Sequence, residues 1–254
     1  MGSNGLNKNL IAFVIYPGIS PLDVIGPMYM LGGAAGYTRK YAVVSVGERR
    51  EPMVSDTPLQ LIPEKTFDEV PIPYGLIVPG GGPQTIPAMA DSALRDYLLS
   101  AAKSARVIGS VGTGSLILAA AGLLQGKEAT THWACAKVLE NLGARYISRR
   151  WVEDGRLITA AGNTAGIDMA IHLAARLMGE TNARRAQLFG EYNPHPPLGP
   201  IHWNSVDRDH PPAHLLPDPG ALKRAFAHRP DLLAAVAHWI EKDKSINHIS
   251  IQEG

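Results

Sequence analysis

Cys135 is the only cysteine in 254 residues. That excludes an intrachain disulfide framework and any zinc site built on several thiolates, and it suits a reducing compartment. An excess of one charge sign is missing too. Lys and Arg number 24 against 23 Asp and Glu, a formal net charge of +1, so there is no electrostatic case for a nucleic-acid partner or an anionic membrane surface. No apolar run reaches the length of a membrane span. The opening MGSNGLNKNL has no apolar core of signal-peptide length. A flexible N-terminus over residues 1–9 and a cytoplasmic protein are therefore expected. Internal repeats and low-complexity tracts are also absent.

What is present is a chain that is 45% hydrophobic and 19% charged, with enough length for one full core. Short apolar runs end in glycine and proline. Leu10–Tyr16 (LIAFVIY) reads as a buried strand closed by Pro17-Gly18, and Ser20 or Pro21 opens a helix expected to run to about Gly32. Tyr41–Val46 is a second strand, Met53–Ile62 short β segments, and Gly75–Val78 a buried strand running into Pro79-Gly80-Gly81-Gly82-Pro83. A helix is expected over Asp91–Ala105, then the strand Val107–Val111, the turn Gly112-Thr113-Gly114-Ser115 and an apolar helix over Leu116–Ala121. Further on, Glu128–Thr131 reads as a strand and Trp133–Leu142 as a helix carrying Cys135. Tyr146–Val152 and Arg156–Thr159 read as a hairpin around Glu153-Asp154-Gly155. Asn163 or Thr164 can cap the helix that follows. On that helix Ile167, Ala170, Ile171, Ala174, Ala175 and Met178 recur at core spacing, while Asp168, His172 and Arg176 share a polar face. Nine of the 20 prolines lie after Gly190, with short helices expected over Ala221–Ala227 and Asp231–Lys242. His195, His202, His210 and His214 fall in the same region and read as loop histidines.

Strands alternating with helices imply a parallel sheet covered on both faces. Ligands bind such sheets beyond the carboxyl ends of the strands, where Pro17–Asp23, Pro79–Pro83 and Gly112–Ser115 should meet. Asp23 has two readings: a carboxylate favoured by the helix dipole in a first turn, or an acid facing that cleft. The first is the commoner role. The glycines after Val78 either form a tight turn or offer N–H donors to a ligand. At the strand-to-helix elbow, where a nucleophile would sit, Gly112 carries no side chain.

The segments YPGISPLDVIGP, IVPGGGP, GTGSLILAAAGLLQGKEATTHW, NLGARYISRRWVEDGRLITAAGNTAGIDMAIHL and EYNPHPP together resemble the ThiJ/PfpI superfamily over Leu10–Pro197. They are most similar to its isonitrile hydratase branch and to the amidase-like domains of some transcription factors. The resemblance implies a flavodoxin-like three-layer α/β sandwich with a mostly parallel sheet, like the class I glutamine amidotransferases. It implies a domain over 10–198, a homodimer and a small-molecule substrate, with no cofactor and no metal. Residues 199–254 are then a Pro/His-rich extension whose short helices pack on the domain. In the hydratases an elbow cysteine, followed by threonine, attacks the isonitrile carbon. An acid on the first-strand loop moves the proton, and water releases an N-substituted formamide. By position Asp23 matches the acid, Thr113 the threonine and Gly81-Gly82 the N–H donors, while Gly112 stands where the cysteine should be.

Three readings follow. The chain is a non-covalent enzyme in which Asp23 is the acid/base for a hydration, lyase, isomerisation or cyclisation reaction. Gly81, Gly82, Thr113, Asn163 and Thr164 then line the substrate site. Or it is an isonitrile hydratase disabled by a Cys-to-Gly exchange. Or it is a binding or sensing module that kept the pocket without the chemistry.

Overall fold

A computed structural model describes residues 8–83, 85–208, 211 and 217–240. The chain begins with β1 (Asn9–Val14), α1 (Pro21–Gly36), β2 (Tyr41–Gly47), the two-residue strands β3 (Met53–Val54), β4 (Gln60–Leu61) and β5 (Lys65–Thr66), and β6 (Gly75–Val78). It continues through α2 (Thr85–Ala90), α3 (Ser92–Ala102), β7 (Val107–Val111), α4 (Gly114–Ala120), β8 (Glu128–Ala129), α5 (Ala136–Asn141) and β9 (Arg145–Tyr146). The hairpin β10 (Trp151–Asp154) and β11 (Leu157–Ala160) precedes α6 (Asn163–Met178), α7 (Glu180–Phe189), α8 (Pro219–Ala225) and α9 (Pro230–Ala235).

Seven strands form the main sheet in the order β10-β11-β7-β6-β1-β2-β5, parallel throughout except for the β10–β11 hairpin. Its central strands β1, β6, β7 and β11 are buried on both faces, which is why their sequences run apolar without alternation, whereas the edge strands β10 and β5 are partly exposed and polar. The two-residue period still sorts them. Ile11 and Phe13 of β1 point into one core, with Ile77, Ile158, Met30 and Leu31 of α1, and Met169 and Leu173 of α6. Ala12 and Val14 point into the other, with Leu76, Ile108, Leu98 of α3, Leu116 of α4 and Leu139 of α5. These are the three layers of a flavodoxin-like sandwich. Leu222, Phe226, Leu232 and Val236 are wholly buried in the second core. Asn141 Nδ2 donates to the Ala235 carbonyl at 2.8 Å, and the Arg229 guanidinium to that of Ala120 at 3.1 Å.

Several elements depart from the sequence expectations. Helix α1 runs past Gly32 to Gly36, because the small residues of its second half meet α7: a Cβ at Gly33 would lie 3.4 Å from Ala186 Cβ. The six-residue α2 escapes the sequence reading because Pro87 interrupts its pattern. Glu128–Thr131 does not join the main sheet. Only Glu128–Ala129 is strand, paired with β9 in a separate two-stranded sheet. The expected strand Tyr146–Val152 is divided between β9 and β10. Asn163 does not cap α6. The N-cap is Gly162, and the Asn163 side chain is spent elsewhere. The polar face of α6 is locally paired: Asp168 with Arg150 and Tyr192, His172 and Arg176 with Glu153. Residues 1–7, His210, His214 and the end of the last expected helix lie outside the described residues. Among the described residues no three His, Cys, Asp or Glu converge as a metal site would require. No described helix is long and apolar enough to cross a membrane.

Candidate active site

The three loops meet where the fold predicts. The turn after β1 is tied to the turn after β6 by Ser20 N–H donating to Gly80 O at 2.8 Å and by the Tyr16 hydroxyl donating to Pro79 O at 2.9 Å. This leaves Asp23, in the first turn of α1, only 3% exposed. Beyond its place in the first turn, its carboxylate takes two tertiary donors. Oδ2 accepts the Gly80 N–H at 3.1 Å, and Oδ1 accepts Asn163 Nδ2 at 2.6 Å from across the sheet. Burial pushes Asp23 up to about 7, against those two donors, with the nearby Asp56 charge acting in the same direction as burial.

At the elbow Gly112 has φ +54°, in the left-handed region that glycine enters without strain. Its N–H donates to Ala160 O at 3.0 Å, and its carbonyl accepts the hydroxyls of Ser115 at 3.0 Å and Thr131 at 3.2 Å. A Cβ on Gly112 would sit 2.8 Å from Asp23 Oδ2. The carboxylate thus occupies space that a side chain here would claim. Gly80 and Gly81 are as tight, for a Cβ at Gly80 would lie 2.7 Å from both Thr113 N and Oγ1.

Thr113 is engaged on all sides. Its hydroxyl donates to Gly81 O at 2.7 Å, accepts the Gly81 N–H at 3.0 Å and lies 2.8 Å from Thr85 Oγ1. The Gly81 amide, expected as a donor to substrate, is therefore satisfied inside the protein. The Gly82 amide leans towards Asp56.

Asp23, Gly81, Gly82, Gly112, Thr113 and Asn163 all line one cavity of about 270 Å³. Thr164 does not: its hydroxyl faces the Arg150 guanidinium at 3.4 Å. The cavity also brings in residues that the sequence did not single out. Asp56 arrives on the β3–β4 turn, which is held down by Gly18 N–H donating to Val54 O at 2.7 Å and Asp56 N–H donating to Ile19 O at 3.1 Å. Its carboxyl is also raised, chiefly by burial, against the Ser20 hydroxyl. His132 is kept neutral by burial, with Nδ1 accepting the Ala134 N–H at 3.4 Å. Trp239 follows α9 and is 4% exposed, and its indole N–H has no partner among the described residues. Cys135, read from the sequence as lying on a helix, sits in a 3₁₀ turn over Trp133–Cys135, where it packs against the second core and also lines the cavity. Burial pushes its thiol up to about 12, so it is not a thiolate at neutral pH.

Chemically the cavity offers two carboxyl groups, one half-protonated near neutrality, beside a neutral imidazole and an unclaimed indole donor. No described side chain in it is an activated nucleophile.

Comparison with known proteins agrees with this architecture. The model of the DJ-1/PfpI family matches residues 9–176. The chain is 44% identical over 188 residues to an isonitrile hydratase of Pseudomonas putida, covering 74% of this chain and 80% of that enzyme. It is 33% identical over 137 residues to the HTH-type transcriptional regulator GbdR of Pseudomonas aeruginosa, which covers 52% of this chain but 36% of the regulator. Among solved structures, a THiJ/PfpI family protein from Pseudomonas syringae superposes with a TM-score of 0.72 at 33% identity, covering 92% of each chain.

Proposed function

The chain belongs to the DJ-1/PfpI family, and on that premise we propose that it catalyses a non-covalent acid–base reaction on a small molecule, with Asp23 moving the proton. The reaction is of the hydration, lyase, isomerisation or cyclisation type. One observation carries this reading. The Asp23 carboxylate is buried against the elbow, its Oδ2 2.8 Å from the ideal Cβ position of residue 112. With glycine at that position, the acid is the side chain that the elbow presents to the cavity.

A carboxyl that titrates near 7 is present at neutral pH as both acid and base, the condition under which proton transfer is most efficient. Asn163 and the Gly80 amide fix its orientation. The Trp239 indole N–H is a candidate donor to the charge that develops on a reacting oxygen or nitrogen. Thr113 acts here as a positioning residue, holding the Gly81 backbone. We further propose a homodimer. Leu22, Ile25 and Tyr29 form an exposed apolar stripe on α1, extended by Leu188 and by Phe189, whose ring stacks on Tyr29 at 6.5 Å.

The test is a panel of isonitriles, nitriles, epoxides and hydroxyketones incubated with the wild type, with Asp23→Asn as the comparison and products read by mass spectrometry. Turnover is expected with a kcat/KM profile that inflects near 7, and loss of the proton carrier should lower it by roughly 10²- to 10⁴-fold. Turnover undiminished in Asp23→Asn would overturn the assignment.

A further inference from the structure

The geometry points to a second, anion-accepting subsite next to the Asp23 cavity, which holds the far end of a flat apolar carboxylate substrate. It is a cavity of about 420 Å³ that shares His132, Gly162 and Asn163 with the first. The inference rests on the acid–base reading for what happens at the near end. The Asp23 cavity alone, at about 270 Å³, is smaller than the roughly 300–1,000 Å³ usual for small-molecule sites. The second cavity lies on the other side of the shared His132, Gly162 and Asn163, and a ligand reaching past them would occupy both.

The two cavities are opposite in charge. The first contains Asp23 and Asp56. The second has no acid among its described lining residues but carries Arg149 and Arg150. Arg150 is neutralised by Asp168. Arg149 is exposed and has no carboxylate partner among the described residues. It stands free to pair with an anion brought by a ligand, as a guanidinium does with a carboxylate. Between the charged ends the walls are apolar and largely aromatic: Leu22, Trp133, Tyr146, Ile201 and Trp203. Ile201 is 62% and Trp203 41% exposed, apolar surface that a flat ligand would cover.

That last wall is set in place. The Arg208 guanidinium donates to Ser148 Oγ at 2.9 Å and to Trp203 O at 3.1 Å, which straps the 201–208 segment beside Arg149. The strap lies beyond residues 9–176, the span matched by the family model. A ligand that satisfies both cavities has an uncharged reacting end among the carboxyls, a planar apolar body against Trp133 and Trp203, and a carboxylate beside Arg149.

Two probes test this by isothermal titration calorimetry on the full chain: 2-naphthoate and its neutral counterpart 2-naphthylmethanol. Wild type is expected to bind naphthoate more tightly than the alcohol. Arg149→Gln should weaken naphthoate about tenfold, equivalent to ~1.4 kcal/mol, and leave the alcohol unchanged, while Trp203→Ala should weaken both. The preference for naphthoate should shrink as salt is added. Asp23→Asn should retain naphthoate binding, so a failure of the acid–base assignment would leave these arms intact. Equal affinity of the two probes in wild type, no binding of naphthoate, or no effect of Arg149→Gln on naphthoate would each overturn the subsite.

Discussion

Asp23 joins the chemistry to the stability of the protein. Its carboxyl titrates at about 7 in the fold and at about 3.9 in an unfolded chain. Between those values the native state holds a proton that the unfolded state has released. Stability therefore falls as pH rises through this window and levels off above it, by on the order of 1 kcal/mol per pH unit. Asp23→Asn has no such proton to lose. Relative to wild type the variant should gain stability from pH ~4 to ~7 and hold the gain above that. Urea unfolding at a series of pH values measures this, and a constant difference between the two proteins would contradict it. The sequence offered two roles for this residue, and the fold places it for both, in the first turn of α1 and in the cavity wall. For Asn163 the expected site position holds but the capping role does not. An Asn at a helix start is a cap by default, and nothing local reveals a partner 140 residues away.

At the scale of elements, the site depends on how closely α1 and α6 approach each other and β7. A Cβ on Gly166 would lie 2.7 Å from Val111 Cγ1 and 3.1 Å from Pro27 Cγ, and one on Gly26 2.9 Å from Ile167 Cγ1. Both glycines are there because two helices and a strand end need the same space. Gly166→Val should cost roughly 1–3 kcal/mol by overpacking. It should also push the start of α6, and Asn163 with it, away from Asp23. Losing a donor that favours the charged form then raises the Asp23 titration further. Chemical denaturation measures the first effect and carbon NMR titration of the carboxyl the second. Elements framed by glycine and proline, such as β1, β6, β7 and the elbow, were legible because those residues punctuate the chain locally. The 3₁₀ turn that carries Cys135 was not; the β3–β4 turn was legible as a turn within Met53–Ile62, but the placing of its Asp56 over the cavity was not. Their positions over the cavity come from tertiary hydrogen bonds such as Gly18 to Val54, and sequence periodicity does not record such contacts.

For the whole molecule, the exposed stripe on α1 predicts assembly. Ile25 is 51% exposed in the middle of that stripe. Burying an unpaired charge there is unfavourable, so Ile25→Glu should raise the dimer dissociation constant by roughly 100-fold, ~2.8 kcal/mol. Light scattering coupled to gel filtration reads this as a fall in mass towards the monomer. A mass that does not change would contradict the proposed dimer through this stripe.

Trp239 has a consequence in time as well as in space. The ribosome delivers residues in order, and the acid at position 23 emerges more than two hundred residues before the indole that helps wall it in. Until that indole docks, the cavity lacks one of its walls. Every strand of the main sheet has been synthesised by then, so the sheet precedes the completed cavity.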